Sequence, residues 1–145
     1  MSGVRVARVA RGVRAGTAFL AVAQLLVGGW ILLAPRSFWD VPWVSVVPPY
    51  NEHLLLDHGA QNLSLGVVLC AAAYWAERRL TLVALAAYLA FSVPHLAFHA
   101  GHLEPLSAAS AGGLMVSLGV GVLLPAALVG WVWLDRPARP VPSRA

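Results

Sequence analysis

Residues 52–102 read EHLLLDHGAQNLSLGVVLCAAAYWAERRLTLVALAAYLAFSVPHLAFHAGH. Two apolar runs, Leu54–Ala76 and Leu80–Ala100, flank the short polar segment Glu77–Arg79. Each run has about 20 residues, the length at which a helix crosses a ~30 Å hydrocarbon layer. So short a connection requires the two helices to be antiparallel neighbours. Outward from this hairpin lie two further apolar runs, Ala15–Ala34 and Ala108–Leu134. The expected fold is all-α: an up-down bundle of four transmembrane helices forming one integral membrane domain over residues 1–145. A Pro- and Trp-rich outer loop, residues 35–51, joins the first two spans. Strands are excluded because apolar and polar residues do not alternate and Ala, Leu and Gly dominate.

Composition agrees. The 145 residues are 59% hydrophobic and 11% charged, with a mean hydropathy of +0.74; a soluble domain carries about 25% charged residues. The net charge of +4 could indicate nucleic acid, but the positions of the charges argue against such a partner. All ten basic residues are Arg, and only Arg36 falls in the outer loop. Arg5, Arg8, Arg11 and Arg14 precede the first span, Arg78 and Arg79 join the second to the third, and Arg136, Arg139 and Arg144 follow the fourth. This is the positive-inside pattern, with both termini cytoplasmic and the arginine-rich start beside anionic lipid. Trp30, Trp39 and Trp43 mark the outer interface, and Trp75, Trp131 and Trp133 the inner one. The run Thr17–Leu33 is long for a signal-peptide core and lacks a small-x-small cleavage site, so it is expected to be a true span. The absence of Lys with abundant Ala, Val and Arg is the composition of a GC-rich bacterial genome. The expected location is a bacterial cytoplasmic membrane.

The five histidines occupy two short segments. His53 and His58 start the second span; His95, His99 and His102 end the third. Polar residues in an apolar chain are costly and mark function. With the turn centred near Arg78, residues whose numbers sum to about 156 share a depth, which pairs Asp57 with His99, Gln61 with His95 and, approximately, His53 with His102. His95, His99 and His102 form one stripe that Tyr88 continues inward. Asp57, Gln61 and Ser64 repeat that spacing, whereas His58 and Asn62 are turned about 100° away, which gives His58 less weight than Asp57. Asn51 is expected to cap the second span, and Glu52 to serve either that cap or the site. Pro94 is either a kink that opens the outer end or a tolerated membrane proline. Cys70 reads as a small buried hydrophobe, Gln24 as a polar residue bonded within the bundle, and the glycines of the first and fourth spans as points of close approach or oligomerisation.

Three chemistries remain open. Asp57, His95 and His99 suit a transition metal (Zn, Cu or Fe), with His53 as a possible addition. A haem b would take one imidazole on each side, His99 with His53 or His58, or a ligand from another subunit. Alternatively, Glu52, His53, His58, Gln61, Tyr88 and His102 join the central three around a quinone-like molecule. The third reading is a non-catalytic accessory or scaffold subunit with His–Asp hydrogen bonds between helices. No nucleophile elbow, P-loop, dinucleotide fingerprint or EF-hand occurs. The expected partners are the lipid bilayer and a homo-oligomer or membrane complex.

The segments YNEHLLLDHGAQNLSLG and VPHLAFHAGHL, with the four-span layout and the Pro/Trp outer loop, resemble small bacterial membrane proteins of the DoxX-like type. Some of these are associated with quinone-linked oxidation of sulfur compounds. The resemblance therefore implies a quinone; it transfers no catalytic residue.

Overall fold

The computed structural model describes residues 8–135. The described residues form five helices: α1 (Arg11–Leu33), α2 (Pro35–Trp39), α3 (Glu52–Trp75), α4 (Arg78–Ala100) and α5 (Ala108–Leu134). All but α2 are long and apolar enough to cross a membrane. The architecture is that of a multi-pass integral membrane protein. Arg5, Arg136, Arg139 and Arg144 lie outside the described residues.

Local chemistry sets the helix limits. Asn51 caps α3, its Oδ1 accepting from Leu54 N at 3.1 Å. Ser107 caps α5 in the same way through Ser110 N at 3.2 Å. The outer loop opens with a short helix rather than irregular chain. Pro35 sits at the start of α2, where its missing N–H costs nothing. Trp30 packs edge-on against Phe38, and its indole N–H donates to Ser37 Oγ at 3.3 Å.

The turn between α3 and α4 is tighter than expected. Ala76 adopts a left-handed conformation, φ 53°, and ends α3. For a non-glycine residue that conformation costs about 1 kcal/mol, which its surroundings offset. Ala76 is buried, and its carbonyl accepts from Val9 N at 2.9 Å. Arg8 forms a β-bridge with Glu77. Arg78 Nη2 donates to Val132 O near the end of α5 at 3.0 Å. The start of α1, the α3–α4 turn and the end of α5 thus meet at one end of the bundle. The four long helices therefore run alternately up and down, with Arg8, Arg11, Arg14, Arg78 and Arg79 gathered at that arginine end.

Packing is uneven. The interface of α1 with α3 is the most extensive, α4 packs mainly on α5, and α3 meets α4 much less. Glycine explains the first contact. A Cβ on Gly28 would lie 2.8 Å from the backbone oxygen of Gly59, and one on Gly66 would lie 2.7 Å from Leu25. Of the glycines of the first and last spans expected to allow close approach, Gly28 does so, and its partner is α3. α1 meets α5 at Gly12, under Trp131, and at Gly16, under Leu128; Gly112 and Gly119 face open space. The main core joins Val13, Leu20, Leu69, Leu85, Leu128 and Val132 toward the arginine end. The other half of the bundle holds the histidines.

Candidate functional site

The rotation of α3 decides which polar residues meet α4. Leu55, Gly59, Asn62, Gly66, Leu69 and Ala73 form its buried stripe. At 100° per residue Asp57 points away from that stripe, while His58 lies on its flank. The side chains of His53 and Asp57 are 88% and 64% exposed, and they pair with each other at 3.5 Å on their own helix. His58 instead meets α4. Its ring stacks on His95 with centroids 5.7 Å apart and tilts against Phe91 at 5.6 Å. Phe91 stacks on His95 at 5.2 Å, and His99 meets His95 edge-on at 4.7 Å.

The depth pairing explains the exchange. The turn is Ala76–Glu77 rather than Glu77–Arg79, so level residues sum to 153, as do Trp75 with Arg78 and His58 with His95. The expected partnership of Asp57 with His99 is therefore replaced by that of His58 with His95. The His–Asp bond between helices expected of a scaffold is likewise replaced by the His53–Asp57 pair within α3.

Among the described residues, no three His, Cys, Asp or Glu side chains stand so as to hold a metal ion. The expected set Asp57, His95 and His99 is not assembled, because Asp57 faces outward. His53 lies on the outward face of α3, and the ring of His95 touches both His58 and His99.

The structure assembles a polar column instead. Tyr88, Ser92, His95 and His99 recur along one side of α4; all but His95 are buried, and His95 is half-buried. Pro94 lies within this segment, which continues as helix through it. Gln24 of α1 lies near the Tyr88 hydroxyl, and a Cβ on Gly121 of α5 would lie 3.5 Å from it. Three buried atoms on this column lack a hydrogen-bond partner: Gln24 Oε1, Ser92 Oγ and His99 Nδ1. Gln24, expected to be bonded within the bundle, leaves its Oε1 without a partner. An unpaired polar atom in a low-dielectric interior costs about 1–3 kcal/mol, and three such atoms lie along this column.

The remaining candidates lie apart. His102 is exposed, past the end of α4, stacked on Phe98 at 4.1 Å with Nδ1 2.7 Å from Phe98 O. Glu52 occupies the exposed first turn of α3 beside the Asn51 cap. Gln61 is exposed and outside the ring group. Cys70 is exposed rather than buried. Sequence reasoning missed Phe91 and Ser92. Both were legible: Ser92 continues the Tyr88, His95, His99 spacing, and Phe91 sits one helical turn before His95.

Comparison with protein families, with curated proteins and with solved structures gives no match to this chain.

Proposed function

We propose that this protein binds a lipid-soluble, flat-ringed molecule bearing carbonyl or hydroxyl groups, of quinone type, between α3 and α4. One observation carries the reading: the buried, unpartnered Ser92 Oγ and His99 Nδ1 lie on the same face of α4 as a group of stacked rings. Ser92 would donate to a carbonyl, and His99 would accept from a hydroxyl or, in its other tautomer, donate to a carbonyl. His58, His95 and Phe91 offer planar faces on which a ring can lie. The sparse contact of α3 with α4 supports entry from the bilayer. The DoxX-like resemblance points to the same class of ligand. Binding alone is proposed; no reaction is assigned.

The test is the content of protein purified in mild detergent, read by solvent extraction with mass spectrometry, an optical spectrum and elemental analysis. Near-stoichiometric quinone in the wild type, lost in His95→Leu and in Ser92→Ala with His99→Leu but kept in Asp57→Ala, is the expected result. A protein that neither retains quinone nor binds an added short-chain quinone overturns the reading. So does a Soret band or a stoichiometric metal.

A further inference from the structure

On the face of α3 turned away from α1, His53, Asp57, Ala60, Ser64, Val67 and Ala71 are spaced 4, 3, 4, 3, 4. That is the seam spacing of a helix pair. Among the described residues no other helix covers it: five of these positions are exposed and Ala71 is half-buried. The seam is not a lipid-facing surface in its chemistry. Asp57 lies one and a half turns into a membrane-spanning helix, where an outward carboxylate is costly. Ala60 and Ser64 are small and allow backbones to approach closely, and Ser64 Oγ is occupied by Ala60 O of its own helix at 2.9 Å.

We infer that α3 pairs with α3 of a second copy of this chain, in parallel, about a two-fold axis along the membrane normal. The seam is self-complementary in charge and shape. In a parallel pair each knob enters a hole formed by four residues of the partner helix, and Asp57 of one copy borders the hole that receives His53 of the other. The two ends of the seam then differ in role. His53 and Asp57 form two cross-pairs near the histidine end, and Ala60, Ser64 and Ala71 set the close approach below them. A two-fold axis uses the same patch on both copies and closes the assembly at a dimer. The dimer does not rest on the ligand reading, because the seam faces away from α1 and the ring group lies on the α4 flank of the helix.

The test uses the full-length chain in isolated membranes, with Cys70→Ala removing the native thiol. Ala60→Cys and Val67→Cys probe the seam; Val83→Cys on α4 and Leu123→Cys on α5 are exposed controls. Mild oxidation should yield a disulfide-linked species at twice the 15.3 kDa monomer mass from the two seam variants and not from the controls. Equal linking at the controls, no linking at either seam position, or a product containing a different chain overturns the proposal. In mild detergent Asp57→Leu should weaken the dimer about eightfold, the effect of losing both interhelical polar contacts. An unchanged dimer there overturns the His53–Asp57 cross-pairing.

Discussion

At the scale of single residues, burial sorts polar groups that composition cannot. Asp57 and His58 are adjacent in sequence and opposite in fate: one pairs outward with His53, the other stacks inward on His95. A spacing rule gives each residue an angle relative to its own helix, but the zero of that angle comes from the partner helix. For α3 the zero is Gly59 beneath Ile31, a close approach of residues 28 apart that no local pattern contains. Asn51 is the opposite case, since a cap acts within one turn and is legible from sequence. Asn51→Ala should lower stability by about 1 kcal/mol, read as an earlier midpoint when detergent-solubilised protein is titrated with SDS and followed by circular dichroism. An unchanged midpoint would show that the Leu54 N–H finds water at no cost.

At the scale of elements, the four spans were legible because length and hydropathy are properties of a single segment. Their limits were legible to within a turn, and the error mattered in one place. The turn at Ala76–Glu77 lies slightly earlier than charge alone suggests, because the chain closes on Ala76 through a left-handed alanine held by Val9 rather than through Arg78 and Arg79. The glycine contacts were not legible: Gly28 and Gly29 are neighbours, yet Gly28 faces the Gly59 carbonyl and Gly29 faces open space. Gly28→Ala should cost about 1–3 kcal/mol through forced separation of α1 from α3. Gly29→Ala should be neutral or slightly stabilising, as expected of alanine in a helix interior. The same SDS titration separates the two; equal midpoints would mean that α1 and α3 do not meet where the geometry places them.

At the scale of the whole molecule, the arginine end is a latch. Arg78 reaches from the start of α4 to the Val132 carbonyl in the last turn of α5, with its guanidinium 5.7 Å from the Trp133 ring. Val9 and Arg8 close the same end from the N-terminal side. Arg78→Ala should cost about 1.5 kcal/mol, the scale of a hydrogen bond from a charged group. Arg79→Ala, at an exposed neighbour, should cost little. Trypsin cleavage at the α3–α4 turn, compared between these two variants in detergent, reads whether the latch has opened. Faster cleavage confined to Arg79→Ala would contradict it.

Composition and hydropathy by themselves determine that this chain forms four membrane-spanning helices, and charge placement carries the expected orientation, because both are sums over residues that do not depend on neighbours. The spacing of Tyr88, His95 and His99 likewise determines that a polar stripe runs along α4, since helical angle is intrinsic to one helix. Only the tertiary structure decides that His58, not Asp57, completes that stripe. The choice follows from how closely α1 can press on α3, and that distance is fixed by glycines on both helices meeting across the bundle.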